Sequence, residues 1–400
     1  MENNNVKYQS STFIGFVMLL AGATVTINFF KCVAVMGQVA GDLGIGNPGM
    51  LMTIFTIVGV ILAFPTAMFI DKIGPLKMFA VALICVAVGS VIGSFASNGS
   101  IMLVSRAIEG IGYIFASIAG PGTLGVYVNP KDMGLANGIW CTWMPVGQII
   151  AVNLTTALNG GGMGWKKIWI IYAILPVIFI FIVNALLKKP QGLPAADAAA
   201  PTKGQNFISK LCSNKTYIFG IIAMMVFNYL VIQIGTYLQP LGLSIGMSDT
   251  EAAFANTWPM VVALVGCTVG GKLCDILGPK KTLIVCYIGA AAGFLIAFSG
   301  SRMAIYVGGF IFGLIGMGCP GAFLGSVAKF VGPEYAIYGT AGFFFLGYIG
   351  QSAATMIWEW LFKMGGGNYF KAVSIVVIPA SIITLILLFL GDFDSKKSQA

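Results

Sequence analysis

Charged side chains inside long apolar segments are the residues of this sequence that could carry out chemistry. Lys31 lies about nineteen residues into the first such segment, and Arg106 and Glu109 lie three residues apart in a later one. Thr24 and Asn28 precede Lys31 at helical spacing, so a helix places all three on one face. A cation at the centre of a lipid bilayer costs about 2.5 to 3.5 kcal/mol. Lys31 therefore either belongs to a polar stripe that binds a substrate or extends its side chain to the membrane surface.

Neutral polar and aromatic side chains form a second group of candidates. Tyr229 and Gln233 lie at positions i and i+4 of one apolar segment, and Trp143 and Trp258 lie in two others. Aromatic faces attract quaternary ammonium groups, so a cage of Trp143, Trp258 and Tyr229 would bind a zwitterionic or quaternary ammonium compound such as a betaine. The alternative is ordinary helix packing, which is the commoner role of a single Trp in a membrane helix.

The elements that must position these residues are membrane-spanning helices. The chain is 58% hydrophobic and 9% charged, with a mean hydropathy of +0.92, which a soluble domain of 400 residues could not carry on its surface. Apolar runs of 18 or more residues are long enough to cross about 30 Å of hydrocarbon. We predict an all-α membrane protein with twelve spans, at residues 12–38, 50–70, 77–97, 100–127, 134–158, 167–187, 216–239, 252–272, 281–299, 303–328, 337–361 and 371–390.

The distribution of basic residues predicts the orientation of the chain. If the N-terminus is cytoplasmic, most of the 22 Lys and Arg fall on the cytoplasmic side of the predicted spans. This asymmetry is typical of membrane proteins and predicts both termini in the cytoplasm of a multi-pass protein of a bacterial-type inner membrane. The net charge of +9 therefore reports topology and not a nucleic-acid partner. There is no His, and the eight Cys form no C-x-x-C pair, so we expect no metal and no other cofactor.

A short polar sequence occurs twice and shows that the chain is a duplication. The first copy contains Asp71, Lys72, Gly74, a proline and Lys77, and the second copy, 204 positions later, contains Asp275, Gly278, a proline, Lys280 and Lys281. Each copy stands between two apolar runs. A chain cannot turn in hydrocarbon with unsatisfied backbone groups, so both copies must lie at the membrane surface.

The repeated sequence resembles the loop between the second and third helices of the major facilitator superfamily, G-x-x-x-D-[RK]-x-G-[RK]-[RK]. Ala67 replaces the leading Gly, Pro75 and Pro279 replace a basic residue, and Ile276 replaces the basic residue after Asp. The sequence from Arg106 to Gly112 is similar to the R-x-x-x-G-x-G motif of the same superfamily. The fifth span is similar to sequences of its cyanate and nitroimidazole permease-like branch.

This resemblance implies two six-helix halves, at residues 1–188 and 216–400, joined by a cytoplasmic linker at 189–215. It also implies that the first and fourth helices line a central cavity, which brings Lys31, Arg106 and Glu109 to similar depth. Their net charge of +1 in a low dielectric favours an anion, most simply a small carboxylate. The alternative is an ion pair that only braces the helices.

The resemblance further implies a non-enzymatic secondary transporter that works by alternating access, with the duplicated loops controlling its opening. We expect each loop Asp to stand at the start of a helix, where the helix dipole stabilises it. We expect uptake of a small organic anion with a proton carried by Glu109. A betaine-like substrate and small-molecule efflux are the alternatives. The expected partners are the substrate, the lipid bilayer and the proton, and the expected state is a monomer.

Overall fold

The computed structural model describes residues 7–129, 132–190, 207–332 and 335–394 of the chain. This part of the chain is helical and contains no β-strand. The helices of the first 190 residues are α1 (Ser11–Phe30), α2 (Met36–Leu43), α3 (Met50–Ile73), α4 (Pro75–Ser94), α5 (Gly99–Tyr127), α6 (Met133–Cys141), α7 (Trp143–Gly160) and α8 (Trp165–Leu186). The later helices are α9 (Phe207–Ser213), α10 (Lys215–Ser244), α11 (Asp249–Leu277), α12 (Pro279–Ala297), α13 (Arg302–Leu314), α14 (Cys319–Leu324), α15 (Val327–Val331), α16 (Ala336–Met356), α17 (Trp358–Met364) and α18 (Tyr369–Leu390).

Ten helical segments within the described residues are long and apolar enough to cross a membrane. They confirm the prediction of an all-α membrane fold. The fifth and eleventh predicted spans correspond to α6 with α7 and to α16 with α17, which fall outside those ten. The total of twelve membrane spans therefore remains a prediction. Large apolar side chains such as Phe181, 72% exposed, lie on the outer surface, as expected for contact with lipid.

Several predicted spans are interrupted helices. The fifth breaks at Thr142, which ends α6 and begins α7. Pro145 follows, and because proline lacks an N–H it cannot donate to the carbonyl four residues earlier. The tenth breaks after α13, where Gly316–Gly318 form a single turn of 3₁₀-helix before α14. The segment between α1 and α2 is also partly 3₁₀.

The two copies of the repeated loop have the same backbone geometry. Gly74 has φ 85° and ψ 153°, and Gly278 has φ 82° and ψ 161°. L side chains rarely adopt these angles, whereas glycine does so without strain. In each copy a proline follows at the first position of the next helix, where its missing N–H costs nothing. The end of the bundle that carries these two turns is called the motif end below, and the other is called the far end.

Helices of the two predicted halves, called the first half and the second half below, pack against each other in two places. Helix α3 packs along α16, and α7 packs along α11. Helices α3 and α11 both begin at the far end and finish at the motif end, and they lie 204 positions apart in the duplication. The two contacts between the halves are therefore related by the duplication, because α3 and α11 occupy equivalent positions and each packs against a helix of the other half.

Candidate functional site

The charged residues singled out in the sequence form a buried ion triad of Lys31, Arg106 and Glu109. The Nζ atom of Lys31 lies 2.6 Å from Oε1 of Glu109, and Nη1 of Arg106 contacts Oε2 of the same carboxylate. All three side chains are 0% exposed. Two cations share one carboxylate, so the ion triad carries a net charge of +1 inside the protein.

Lys31 is held by hydrogen bonds from every proton of its ammonium group. Besides Glu109, its Nζ donates to Oγ of Ser90 at 2.5 Å and to Oδ1 of Asn28 at 2.8 Å. It also lies 4.6 Å from the centre of the Trp169 ring, a cation–π contact. Ser90 is on α4 and Trp169 is on α8, so Lys31 points towards the outer helices of the first half. It does not extend to the membrane surface.

Arg106 caps the C-terminal end of α1. The last carbonyl groups of a helix have no partner inside the helix. Nη1 of Arg106 donates to the carbonyl of Asn28 at 2.8 Å, and Nη2 donates to that of Phe29 at 2.9 Å. Its Nε donates to the carbonyl of Leu51, near the start of α3, at 2.9 Å. The positive guanidinium at the negative end of the α1 dipole thus joins three helices.

A central cavity of about 60 Å³ lies between the two halves. It is large enough for a few water-sized molecules. Its walls are aromatic and apolar side chains with a few neutral polar groups, and none of the described residues that line it is charged. The lining residues come from α5, α6 and α7 on one side and from α10, α11, α16 and the interrupted tenth span on the other; they include Tyr113, Trp143, Phe227, Asn228, Phe344 and Gln351.

The ion triad lies behind the aromatic wall of the central cavity. The guanidinium carbon of Arg106 lies 4.5 Å from the ring centre of Phe55, and that ring lies 5.2 Å from the ring of Tyr113, which lines the cavity. Arg106 is thus under 10 Å from the ring of Tyr113. The positive charge acts on the cavity through two layers of aromatic rings and without direct contact.

The polar groups in the cavity wall are amides. Nε2 of Gln351 donates to Oδ1 of Asn228 at 2.8 Å, which joins α16 to α10. The Oε1 atom of Gln351 is buried without a hydrogen-bond partner. Because an unsatisfied buried acceptor costs about 1 to 3 kcal/mol, a ligand that donates a hydrogen bond here would be stabilised.

The remaining residues predicted to bind substrate fall into two groups. Trp143 lines the central cavity, where its ring stacks on Tyr113 with the ring centres 5.6 Å apart. Asn28 donates to the carbonyl of Tyr172 on α8, and Thr24 donates within its own helix to Ala21. Both are buried, and Asn28 also accepts the hydrogen bond from Nζ of Lys31.

The other predicted residues lie elsewhere in the second half. Nε1 of Trp258 donates to the carbonyl of Tyr306 at 2.9 Å, and its ring packs on Phe254 and Tyr306 between α11 and α13. Gln233 donates to the carbonyl of Ala354 at 2.7 Å and to Tyr229. These groups do not line the central cavity, so the structure does not assemble the cage of Trp143, Trp258 and Tyr229.

The duplicated loops make different contacts in the two halves. Asp71 lies in the last turn of α3, and its Oδ2 accepts a hydrogen bond at 2.8 Å from the hydroxyl of Tyr338, in the first turn of α16. The expectation that Asp71 begins a helix was therefore wrong, because α3 continues past Asp71 to Ile73; the contact with a helix start is with α16 of the second half. Lys72 and Lys77 are exposed.

The second loop contacts its own half. Nζ of Lys280 donates to the carbonyl of Phe389, and the backbone N–H of Lys280 donates to Asp394. Gly278 forms the turn, and Lys281 is exposed. Asp275 lies on α11, also in a last turn and not at a helix start, and its side chain is outside the described part of the structure.

Sequence reasoning missed the partners that the triad and the cavity depend on. Ser90 and Trp169 carry no recognisable motif, and only the packing of α4 and α8 brings them to Lys31. Tyr113 had a usable signal, since it lies seven residues after Arg106 and therefore on nearly the same helix face.

These features define a helical membrane protein with a cavity between two packed halves. A family model described as Major Facilitator Superfamily matches residues 12–247, which is more than half of the chain, and the chain belongs to this superfamily. Among curated proteins, it is similar to the MFS-type transporter ppz2 of Metarhizium majus (strain ARSEF 297), with 26% identity over 129 residues. That match covers 30% of this chain and 21% of the relative, so the chain spans about a fifth of the relative's length. The name of that relative describes it as a transporter. The cyanate and nitroimidazole permease-like branch remains a prediction.

Proposed function

We propose that the protein is a secondary transporter that works by alternating access and takes up a small organic anion together with a proton. The observation that carries this proposal is the net positive charge of the ion triad behind the wall of the central cavity. A unit charge about 10 Å away contributes about 1.7 kcal/mol at an effective dielectric constant of about 20, which is more than tenfold in affinity. The triad therefore attracts an anion into a cavity whose own walls are uncharged.

The walls suggest the body of the substrate. Trp143 and Tyr113 stack on each other, and the amides of Gln351 and Asn228 are the polar groups nearby. A carboxylate with a flat apolar or aromatic body that carries a hydroxyl or N–H group fits this chemistry, because the rings offer contact area and the free Oε1 of Gln351 can accept a hydrogen bond from that group. Lys31 would contribute its positive charge to substrate binding, and Thr24 and Asn28 would contribute by fixing where that charge lies. Gln233, Tyr229 and Trp258 would act on the substrate in another conformation, in which the halves have moved.

The role of Glu109 follows from its position. Among the side chains that the structure describes, it is the acidic one that is fully buried. A proton carrier must take up and release its proton as the conformation changes. The carboxylate of Glu109 contacts two cations on different helices, so a movement of those helices changes its distance from the cations and hence its proton affinity. We assign proton coupling to this residue on that basis.

A series of charge variants tests the anion proposal. The triad carries +1 in the parent, 0 in Lys31→Met, +1 again in the double variant Lys31→Met with Glu109→Gln, and +2 in Glu109→Gln. Thermal-shift measurements with small aromatic and aliphatic carboxylates, betaines and neutral amides would give the affinities, since a ligand at a hundred times its dissociation constant adds about 2.7 kcal/mol of stability. We expect carboxylates to bind about tenfold more weakly to Lys31→Met and to recover in the double variant.

The same series separates the second candidate, a betaine or quaternary ammonium compound. The observation that favours it is the aromatic, uncharged wall formed by Trp143 and Tyr113. A cationic ligand would bind most tightly to Lys31→Met and most weakly to Glu109→Gln, which is the reverse order. Carboxylate affinity that is the same in all four folded proteins would contradict the anion proposal. Proton coupling is tested separately: uptake by Glu109→Gln in proteoliposomes should no longer follow an imposed pH gradient.

The two motif loops are proposed to control opening at the motif end. Asp71 supports this role, because its bond to Tyr338 joins the halves and must break when they separate there. Lys72, Lys77 and Lys281 would act at the exposed surface, while Gly74, Gly278, Lys280 and Asp275 would shape or anchor the two loops. We also propose that the protein acts as a monomer in a bacterial-type inner membrane, with both termini in the cytoplasm.

A further inference from the structure

A second cavity lies at the far end of the bundle and has the size of a small-molecule site. Its volume is about 470 Å³, and such sites typically measure about 300 to 1,000 Å³. This far-end vestibule is lined by α7, α10, α11 and the segment between α1 and α2; its residues include Ala34, Asn153, Ala157, Gln239, Leu243 and Asp249. None of the described residues that line it also lines the central cavity.

The far-end vestibule is acidic, because Asp249 is the charged residue among the described residues that line it. The neighbouring Glu251 has partners: it forms the capping box of α11 with Ser248 and lies 3.5 Å from Arg302. The carboxylate of Asp249 makes no hydrogen bond or ion pair with another residue that the structure describes. Its negative charge is therefore available to a ligand.

The neutral polar groups of the far-end vestibule are hydrogen-bond acceptors. Gln239 is 5% exposed, and its Oε1 is buried without a hydrogen-bond partner in the described structure. Both N–H groups of the Asn153 amide are used, because Nδ2 donates to a carbonyl of α7 at 2.9 Å and to a hydroxyl of α11 at 3.0 Å. Its Oδ1 remains as an acceptor. The hydroxyl of Thr156 donates within α7 at 2.8 Å, so it too can only accept from a ligand.

These walls favour a cation that carries N–H groups. A quaternary ammonium group has no N–H to donate and is recognised by aromatic rings, and none of the described residues that line the far-end vestibule is aromatic. A calcium ion takes six to eight closely placed oxygen ligands, and one carboxylate in a space of about 470 Å³ does not provide such a shell. The apolar side chains of Ala34, Ala157 and Leu243 offer contact to a small apolar body.

We propose that the far-end vestibule is a binding site for primary ammonium compounds with a small apolar body. The carboxylate of Asp249 is the charged partner, and the amide oxygens of Gln239 and Asn153 are the further acceptors for the three N–H groups of the ligand. Asp249 and Gln239 belong to the second half and Asn153 to the first. The site selects the charge opposite to that of the anion proposed for the central cavity, so its ligand is a different compound from that substrate.

The first experiment compares two cations of equal charge. The unfolding temperature of the purified protein in detergent is measured against rising concentrations of n-butylammonium and of n-butyltrimethylammonium at matched ionic strength. A ligand that binds the folded state raises this temperature, and its dissociation constant follows from the concentration dependence. We expect n-butylammonium to bind at least about tenfold more tightly, because only its N–H groups can donate to the carboxylate.

Three variants test the predicted contacts one at a time. Asp249→Asn removes the charge and should weaken n-butylammonium binding at least about tenfold. Gln239→Leu removes one acceptor and should weaken it about fivefold. Ala157→Leu keeps every polar group but fills part of the cavity, and should weaken binding by steric exclusion. Glu359→Gln, which removes an exposed carboxylate of α17, and Asn184→Leu, which removes an exposed amide of α8, are the matched controls and should bind like the parent.

The outcomes separate this proposal from its alternatives. Unfolding temperatures without ligand show which variants are folded, and Gln239→Leu or Ala157→Leu serves if Asp249→Asn is not. Equal affinities for the two cations, or equal affinity of the parent and folded Asp249→Asn for n-butylammonium, would overturn the proposal. So would a response to sodium or calcium chloride alone that Asp249→Asn abolishes, since the site would then bind a metal ion. No transport and no carboxylate ligand enters the measurement, so its failure would leave the proposed anion uptake untouched.

Discussion

Arg106 shows how one buried side chain can satisfy backbone groups of two other helices and pair with a carboxylate at the same time. Its guanidinium satisfies carbonyl groups of Asn28 and Phe29 at the end of α1, one of Leu51 in α3, and the carboxylate of Glu109. Removing one partner from a buried ion pair costs about 3 to 5 kcal/mol, because the other charge is left without compensation. The forked geometry is needed here, since a single ammonium cannot reach three separate carbonyl groups.

Arg106→Lys should therefore destabilise the protein although it keeps the charge. We expect a loss of about 2 kcal/mol or more, because at least two of the carbonyl groups of α1 and α3 lose their hydrogen bonds. Thermal unfolding of the purified protein in detergent measures this, with Lys281→Arg as an exposed control of the reverse exchange. An unfolding temperature equal to that of the parent would show that the cap on α1 contributes little.

At the scale of elements, α3 and α16 carry a contact at each end of the bundle. At the motif end, the hydroxyl of Tyr338 donates to Asp71, and its ring stacks on Phe207 of α9, with ring centres 4.4 Å apart. Phe207 also packs on Phe64 of α3. Helix α9, which lies within the predicted linker, therefore contacts both halves where they meet.

Tyr338→Phe isolates the hydrogen bond, because it keeps the ring and its stacking on Phe207. A hydrogen bond to a charged group contributes about 1.5 to 3 kcal/mol when buried, and less here because Asp71 is exposed. Cys141 lines the central cavity, so a membrane-impermeant maleimide can report access to it. With the reagent added at the motif end, we expect Cys141 to be labelled about fivefold faster, which corresponds to about 1 kcal/mol. Tyr335→Phe, on the neighbouring turn, is the matched control. Equal rates in the two variants would mean that the bond between Asp71 and Tyr338 does not hold this end closed.

The elements were predictable where their signals are local. Long apolar runs, the glycine–proline turns at Gly74 and Gly278 and the family motifs give the helices, the duplication and the superfamily. The breaks were harder: Thr142 ends a helix because Pro145 and the packing around it prevent a continuous hydrogen-bond ladder. The direction of Trp258 could not be read from spacing, because either face of α11 can carry a tryptophan.

The ion triad was predictable only in part, because spacing along the sequence does not show which way a helix face points. The spacing of Arg106 and Glu109 places them on one helix face, and the resemblance brings Lys31 to the same depth. Whether that face turns to the cavity or to the outer helices depends on Ser90 and Trp169, which come from elsewhere in the chain. Their position shows that the charge acts on the cavity from behind a wall of rings.

At the scale of the whole molecule, contacts join the halves at both ends while the cavity between them is small. A volume of about 60 Å³ is too small for an organic anion of several heavy atoms, so the proposed transport requires the halves to separate. The motif end is joined by an exposed charged contact at Asp71, and the far end by buried neutral pairs such as Thr53 with Thr355. This difference suggests that the motif end opens more readily.

A reversible cross-link across the far end tests whether the two ends open in turn. Thr53→Cys and Thr355→Cys, in a protein whose other cysteines except Cys141 are replaced, place two sulfur atoms where hydroxyl oxygens now lie 2.5 Å apart, which is close enough for a disulfide. Oxidation by a copper(II) complex joins the two thiols, with the two electrons passing to copper and oxygen. We expect a membrane-impermeant maleimide to label Cys141 of the oxidised protein only when it is added at the motif end. We expect transport to be lost until a reductant is added. Each single cysteine variant is the control, since it cannot form the bridge. If the cross-linked protein still transported at the parent rate, the halves would not need to separate at the far end, and the alternating-access proposal would be wrong for this chain.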